Sequence, residues 1–548
     1  MFEGLRCFLS VDTLLVPLYT YCGAKLVFRL SNDDHITKII FVALLRLLFT
    51  LVVTPLLLVA FLLFSILADV VRFIAKLYFR GDFVDFATGG DAMYSDDHRI
   101  GKGIIPAVYY IEEKYADSAH LLMEHIKSAS LKAQTNHPRL RCIQKKFLCY
   151  IFFLRSPPIG LDFITYFDDY KSDDDFQNIL NEKIGSVLPL NNTFLWEITI
   201  GKKSVKVQDK NCIPLLFRLH HSLGDGVTLM TLLMTNYAEN GCENIRVLCD
   251  NLKKLQMRGT SKKSPKRMYN VIDDFMKSLL TFINYIWNKE FYFGFDFLRD
   301  AEVKYSWHNE PSGDISLHMV GIDQNKQFVE KVKEIKNKLN VSFNDVILGV
   351  IAASFTKHFL QNKQVCPPTI VTLNPYNLNA NNFNDLLSFN ALKEPVTKLG
   401  NKFTIGMISL PIKEEYLKDP KMFITEQHKI TKYLKHSVDF QYMFWMVHKI
   451  VSIVPLPIVI PLHNLYRPST LVTNLPPLTA VRIIDHDIVD MMLSSVHCYD
   501  VSTCISIFSY NNNFHVSTMM DKNCINFEQQ KIFSNNIFDF VDQIYEKL

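Results

Sequence analysis

Two adjacent histidines followed by an Asp-Gly pair are the residues of this chain whose types and spacing could do chemistry. They lie in the run His-His-Ser-Leu-Gly-Asp-Gly at 220–226. The apolar residues 213–219 before the run predict a buried strand, and the spacing of residues 227–240 after it predicts a helix. A neutral imidazole at the end of a core strand can take a proton from a hydroxyl or an amine, as acyl transfer to either group requires.

The predicted strand and helix also indicate how the run is oriented. Side chains alternate along a strand, so Leu219 and His221 share one face while Arg218 and His220 share the other. Only one of the two histidines can therefore point into a given channel. Asp225 directly precedes the helix, where a carboxylate can cap backbone N–H groups. The competing interpretation is that both histidines are ordinary polar residues at a strand end and that Asp225 is only a cap.

Length and composition limit the class of protein. A chain of 548 residues has room for two to four domains, and a hydrophobic fraction of 48% is high for a soluble protein. A net charge of +4 argues against a dedicated nucleic-acid binder. The 11 cysteines include no Cys-x-x-Cys pair, which disfavours zinc and thioredoxin-like sites and favours reduced thiols facing the cytosol.

A hydrophobic run near the start of the chain predicts a transmembrane helix. Residues 47–67 carry no charge and are long enough to cross a hydrocarbon core of about 30 Å. Pro55 lies inside the run and predicts a kink. The alternative is a buried core helix. Basic residues flank the run equally on both sides, so charge does not decide its orientation.

The remainder of the chain alternates strand-like and helix-like segments, which predicts an α/β protein. We expect an N-terminal membrane region over 1–90, a first α/β region over 91–249, a basic linker over 250–309 and a second α/β region over 310–548. The linker fits a solvated loop, and it also fits a surface that attracts anionic lipid headgroups or a phosphate-bearing substrate. The clearest individual elements are strands over 104–111, 195–200, 213–219, 504–510 and 514–520, and helices over 116–129 and 342–355.

The histidine run resembles the HHxxxDG motif of condensation-type, CoA-dependent acyltransferases. Further stretches, in the same order along the chain, resemble the wax ester synthase/diacylglycerol acyltransferase (WS/DGAT) family. They are Phe194-Leu195-Trp196-Glu197, Asn344-Asp345-Val346, Leu399-Gly400-Asn401-Lys402-Phe403 and Val472-Thr473-Asn474-Leu475-Pro476. The sequence departs from the family at two places: Phe194 replaces a proline, and Pro477-Leu478 stands where the family continues with Gly-Pro. The resemblance extends from about residue 95 to 540.

This resemblance implies a fold of two chloramphenicol-acetyltransferase-like subdomains in one chain, with a central channel between them. It implies that His221 is the general base, which deprotonates the hydroxyl of a fatty alcohol or of diacylglycerol. The oxygen then attacks the thioester of a fatty acyl-CoA, without a covalent acyl-enzyme. Acyl-CoA is a co-substrate, and neither a cofactor nor a metal is implied.

The other predicted site residues surround this base. His220 and Asp225 belong to the same catalytic run, and Asp225 is expected to orient it through its cap or an ion pair. Asn344 begins a helix, where free N–H groups could stabilise an oxyanion, although local capping is an equally good interpretation. Substrate-binding positions are predicted at Gly226, Asp345 and Asn474, of which Asp345 also fits a purely structural role.

The resemblance also implies partners and a location. The expected partners are fatty acyl-CoA, a long-chain alcohol or diacylglycerol, and membrane lipid, with no nucleic acid. We expect the endoplasmic reticulum or the plasma membrane, with the catalytic region facing the cytosol, where acyl-CoA is made and used. Two alternatives stay open: a non-catalytic lipid-binding protein on the same fold, favoured by the altered Phe194 and Pro477 positions, and a different acyl acceptor such as an amine or a carnitine-like alcohol.

Overall fold

A computed structural model describes most of the chain from residue 54 onward. It divides into two compact units, residues 1–71 with 268–291 and residues 72–267 with 292–548. Only residues 54–71 of the first unit are described, and the predicted basic linker over 250–309 lies outside the described residues. The described residues are 54–95, 103–156, 160–191, 193–245, 312, 314–322, 327–376, 387–389, 395–436, 440, 443–444, 446–458, 469–496, 501–511 and 513–548.

The strands confirm the predicted alternation, and each strand predicted above is found within a few residues of its expected bounds. In chain order the strands are β1 Phe83–Phe86, β2 Ile104–Glu112, β3 Cys142–Phe147, β4 Tyr150–Arg155, β5 Ile164–Tyr166, β6 Trp196–Ile200, β7 Val205–Val207, β8 Lys210–His220, β9 Ile315–Ile322, β10 Thr369–Tyr376, β11 Leu387–Phe389, β12 Pro395–Thr397, β13 Thr404–Pro411, β14 Thr470–Asn474, β15 Arg482–Ile483, β16 His486–Leu493, β17 Thr503–Tyr510 and β18 Asn513–Asp521.

The helices include those that the sequence predicts over 116–129, 227–240 and 342–355. In chain order they are α1 Thr54–Phe79, α2 Gly90–Ser95, α3 Ser118–Asn136, α4 Asp173–Gly185, α5 Gly226–Tyr237, α6 Gln327–Leu339, α7 Phe343–Gln361, α8 Lys421–His436, α9 Val451–Ile453 and α10 Phe527–Glu546.

The first sheet carries the histidine run. Its order is β15-β16-β2-β8-β6-β5, with β7 paired to the start of β8. Strand β8 is flanked by β2 and β6, and its residues from Cys212 to His220 are all buried. This explains why its sequence is an apolar run and not an alternation of apolar and polar residues: both faces of the strand are covered. The catalytic motif begins at the last residue of this central strand.

The second sheet has the order β13-β10-β14-β17-β18-β9. Strands β17 and β18 form the predicted hairpin, in antiparallel register from Thr503 opposite Met520 to Tyr510 opposite Asn513. Helix α7 packs against α8 and α10 and forms with them a core that includes residues of this sheet. Its predicted start is confirmed by a capping box, in which Ser342 and the side chain of Asp345 bind each other's backbone N–H groups.

Two strands of the second region, β15 and β16, belong to the first sheet. After β14 the chain leaves the second sheet, forms β15 and β16 at the edge of the first, and returns as β17. Strand β16 pairs with β2 in antiparallel register, with Met491 opposite Tyr109. The first sheet therefore contains strands from both regions of the sequence, and a boundary near residue 310 does not separate the two sheets.

A small three-stranded sheet, in the order β1-β4-β3, packs on the last turns of α1. The rings of Phe79 and Phe147 lie 5.2 Å apart, and Tyr78 stacks on Phe147 at the same distance. On the same turns Phe73 and Leu77 are exposed by 63% and 60%, and Tyr78, although it stacks on Phe147, is exposed by 69%. The end of α1 is thus buried on one face and apolar on its exposed face.

The predicted transmembrane helix over 47–67 is not supported. Residues 47–53 lie outside the described residues, and the rest of the run forms the first part of α1, which continues to Phe79. Among the described residues, no single helix has the length and hydropathy of a membrane span. Helices α6 and α7 reach that length and composition only as a pair bent by 103°.

Candidate active site

His221 stands where β8 ends and a short 3-10 turn, His221–Leu223, begins. Its backbone N–H donates to the carbonyl of Gly103 at 2.7 Å, which keeps the residue attached to the start of β2. The side chain lies on the same face of the strand as Leu219, and both line a cavity between the two sheets. The alternation of side chains along the strand therefore leads to the correct face for His221.

His220 points away from this cavity. Its Nδ1 accepts a hydrogen bond from the backbone N–H of Ser222 at 3.2 Å and lies 2.7 Å from the Ser222 hydroxyl. Arg218, two residues earlier, is fully buried and forms an ion pair with Glu197. The side chains of β8 that point away from the cavity therefore hold the fold together. Of the two histidines, only His221 lines the cavity.

The imidazole of His221 is enclosed by aromatic rings. The ring of Tyr94, from α2, stacks on it with centroids 3.8 Å apart and planes inclined by 21°. Phe403 approaches its edge at 6.0 Å. Burial lowers the pKa of His221 to about 4, although the charge of Asp225 acts in the opposite direction. The ring is consequently neutral at pH 7, the state that a general base requires.

Asp225 is the N-cap of α5, as predicted, and its second oxygen has a further function. Oδ1 accepts the backbone N–H of Thr228 at 2.9 Å, and Oδ2 accepts the backbone N–H of Lys402 at 2.9 Å. Gly400 completes the connection, because its N–H donates to the carbonyl of Leu223 at 2.8 Å. The stretch 399–403 from the second region thus holds the histidine turn through backbone groups.

The cavity has a volume of about 1090 Å³ and is lined mostly by apolar side chains. This volume is slightly above the usual range for small-molecule sites, about 300–1,000 Å³. The first sheet contributes Ile105 and Leu219, and the second contributes Leu373, Leu471 and Asn474. The cavity therefore lies where the predicted channel was expected, between the two halves.

The predicted site residues divide into two groups. His221, Asp225, Gly226 and Asn474 all line the cavity. Asn344 does not line it, and its side chain instead hydrogen-bonds Tyr376, a residue of the cavity wall.

Asp345, predicted to bind substrate, is buried in the second core. Its carboxylate lies 2.8 Å from Nδ1 of His428, and it also binds the hydroxyl of Thr431. With both oxygens engaged in this way, Asp345 has the structural role that the sequence left as its alternative. The physical reason is the capping box, which turns the side chain back toward the start of α7.

Sequence reasoning missed four residues of the site: Asp91, Tyr94, Asn401 and Phe403. Asn401 and Phe403 lie in the stretch that resembles the WS/DGAT family, which was the available signal, although no role followed from it. Asp91 and Tyr94 lie in the six-residue helix α2, which has no motif. Both contact the site from a segment far away in sequence, and local patterns do not report such contacts.

Comparison with known proteins identifies part of the chain. Residues 399–532 match the family model of the WS/DGAT C-terminal domain. This segment, which we call the WS/DGAT segment, is similar to the C-terminal domain of the WS/DGAT family. The predicted resemblance is thereby confirmed, and the WS/DGAT segment includes Asn401, Asn474 and strand β16, which completes the first sheet. No curated protein sequence shows a significant match to the chain.

The fold of the chain is similar to the folds of several solved structures. The trichothecene 15-O-acetyltransferase of Fusarium sporotrichioides matches with a TM-score of 0.54 and 12% identity, over 83% of this chain and 94% of that one. The wax ester synthase/diacylglycerol acyltransferase of Marinobacter aquaeolei VT8 matches with a TM-score of 0.47 and 10% identity, over 83% and 95%. The first condensation domain of the calcium-dependent antibiotic synthetase gives 0.49 and 10%, over 84% and 96%. The similarity to the Fusarium enzyme shows that the chain has an α/β fold similar to the fold of that enzyme.

Proposed function

We propose that the protein is an acyl-CoA-dependent O-acyltransferase that forms a wax ester, a triacylglycerol or both, with His221 as general base. One observation carries the proposal: a neutral, buried imidazole lies on the wall of a large apolar cavity between the two sheets. The match of residues 399–532 to the family model of the WS/DGAT C-terminal domain supports this choice among acyl transfers.

The reaction follows from the position of the ring. The imidazole of His221 removes the proton from the acceptor hydroxyl while the oxygen attacks the thioester carbonyl of acyl-CoA. The tetrahedral intermediate then collapses, the carbon–sulfur bond breaks, and the imidazolium returns its proton to the departing thiolate. The ester and free CoA are the products. Base assistance of this kind is worth about 10²–10⁴-fold, because an alcohol is a poor nucleophile at neutral pH.

The cavity wall supports long-chain substrates. Leu219, Leu373 and Leu471 present hydrocarbon surface from both sheets, against which acyl and alkyl chains are stabilised by the burial of apolar area. Asn474 is a polar group on the same wall. A fatty alcohol and diacylglycerol both combine one reactive hydroxyl with long chains, so either is a suitable acceptor.

We test the chemistry with the full-length chain in membranes, offering hexadecanol and diacylglycerol in competition at a fixed acyl-CoA concentration. We expect His221→Ala to lower ester formation by about 10²–10⁴-fold. The control is His120→Ala, which changes an exposed histidine on α3 and is expected to leave activity unchanged. Full activity in a folded His221→Ala protein contradicts the mechanism, and bound lipid without turnover in the wild type favours the non-catalytic lipid-binding alternative.

We also propose that the protein works on a membrane surface, on the cytosolic side of the endoplasmic reticulum or the plasma membrane. The support is the exposed apolar face at the end of α1, formed by Phe73, Leu77 and Tyr78. Such a face suits the boundary between lipid headgroups and acyl chains. Flotation with vesicles tests this: Leu77→Asp should reduce the bound fraction, whereas Val365→Asp, at a site 82% exposed elsewhere, should not. Equal flotation of both variants contradicts the proposal.

A further inference from the structure

The orientation of the His221 ring depends on a group that the chemistry above does not use. Nδ1 of His221 and Oδ1 of Asn401 are both buried, and neither has a hydrogen bond of good geometry in the described part of the chain. The backbone carbonyl of His221 and the side chain of Asn401 both favour the protonated form of the imidazole. Buried polar groups normally have partners, so this pair of adjacent unsatisfied atoms requires an explanation.

The amide of Asn401 is fixed in one orientation by its other contacts. Nδ2 donates to the backbone carbonyl of His221 at 2.7 Å and to Oδ1 of Asp91 at 2.8 Å. Both acceptors need a donor, and a rotated amide would place its own oxygen against them. Because Nδ2 is engaged twice, Oδ1 is the atom of Asn401 left to accept a hydrogen bond.

Asp91 is itself held in place by hydrogen bonds from Asn401 and Arg139. Its Oδ1 accepts the backbone N–H of Asn401 at 2.9 Å as well as the side-chain bond, and its Oδ2 accepts Nη1 of Arg139 at 2.7 Å. Arg139 also forms an ion pair with Asp85 at 2.6 Å, and its guanidinium lies over the ring of Phe153. The chain of contacts from Arg139 through Asp91 to Asn401 is buried or half-buried along its length, which restricts the rotation of each side chain.

We propose that Asn401, held by Asp91 and Arg139, is a positioning residue that selects the tautomer of His221 with the proton on Nδ1, so that Nε2 is the base. The proposal rests on the acyltransferase function proposed above. In this tautomer the Nδ1–H has two acceptors nearby, Oδ1 of Asn401 and the backbone carbonyl of His221, and Asn401 holds that carbonyl through Nδ2. When Nε2 takes the proton of the acceptor hydroxyl, the Nδ1 proton stays in place and the same bond stabilises the imidazolium.

A residue that only joins two loops would have different effects from one that fixes a tautomer, and three variants separate the two roles. The bond from Asn401 is strongest when the ring is charged, so Asn401→Ala should lower kcat by about 10- to 100-fold with KM nearly unchanged. It should also move the acid limb of kcat/KM to lower pH, because the side chain that favours the imidazolium is gone. Asn401→Asp places a carboxylate there and should move the limb to higher pH. Asn536→Ala, a buried asparagine in the remote helix α10, is the matched control and should change neither.

Each outcome decides the matter, and His221→Ala is measured alongside. If His221→Ala is inactive while Asn401→Ala keeps its kcat, the positioning role is overturned and the proposed function stands. If Asn401→Ala loses kcat and thermal stability but neither variant moves the acid limb, the residue is structural and the proposal is overturned. If His221→Ala retains activity, the proposed function itself fails. If Asn401→Ala does not fold, Arg139→Lys is measured in its place. A lysine cannot keep both the forked contact to Asp85 and the Nη1 bond to Asp91, so kcat should fall about ten-fold, and an unchanged kcat overturns the proposal.

Discussion

Tyr94 covers one face of the catalytic ring, and its removal provides a quantitative test of why His221 is neutral. In Tyr94→Ala, water reaches the imidazole, so the burial that lowers the pKa of His221 to about 4 is partly lost. Complete release would return the pKa to about 6.5, a change of about 2.5 units or about 3 kcal/mol. This is the upper limit of the effect, since Phe403 and the cavity wall remain.

The consequence for activity is largest in weakly acidic solution. At pH 6 a histidine with a pKa of about 4 is about 99% neutral, whereas one with a pKa of about 6.5 is about 24% neutral. If Tyr94→Ala returns the pKa of His221 fully to about 6.5, its kcat/KM should be about four-fold lower at pH 6 than at pH 8. This factor is in addition to any loss of activity that is the same at both pH values. The wild type should be flat over this range.

The assay is ester formation over short fixed times between pH 4.5 and 8, with circular dichroism at each pH to confirm folding. Tyr94→Phe is the matched control, because it keeps the ring and removes only the hydroxyl. We expect its acid limb to remain where the wild type has it. The reasoning is wrong if the limb of Tyr94→Ala does not move, or if Tyr94→Phe moves it equally.

Three further predictions concern stability. Burial lowers the pKa of His137 to about 4, so as the pH falls the unfolded chain takes up a proton on this residue before the folded chain does. The contribution of His137 to the free energy of unfolding should therefore be largest above pH 6.5 and fall by up to about 3 kcal/mol as the pH drops toward 4. Urea titrations at a series of pH values measure this change. Arg218→Met should cost about 3–5 kcal/mol in thermal melts, because Glu197 stays buried without its main partner, and adding Glu197→Leu should restore most of the loss. Gly349→Ala should cost about 1–3 kcal/mol, since its Cβ would lie 2.9 Å from backbone atoms of α8, whereas Gly185→Ala, with open space around it, should stay within about 0.5 kcal/mol.

The local parts of the site could be predicted from sequence. The apolar run before His220 specified the strand, and its two-residue period gave the correct face for His221. The position of Asp225 before a helical pattern gave the cap. Each of these depends on residues within a few positions of one another, and for such short-range features backbone geometry leaves few alternatives.

The parts that depend on distant contacts could not be predicted. Asn401 binds Asp91 across 310 positions of sequence, and no period or motif reports that pairing. Asn344 shows the same limit: the start of its helix was predicted correctly, but the direction in which the helix presents that residue depends on how α7 packs. The hydrophobic run over 47–67 was interpreted from hydropathy alone, which does not distinguish a membrane span from an apolar helix of another kind.

Strand β16 has a consequence for how the protein is made. The sheet that carries His221 is complete only when residues 486–493 pair with β2, at residues 104–112. On the ribosome, this edge of β2 must therefore stay unpaired until residues 486–493 have emerged. Pairings between such distant segments form slowly, and an uncovered strand edge is prone to aggregate. Nascent chains of this protein should accordingly depend on chaperones for longer than those of a protein whose sheets close in sequence order.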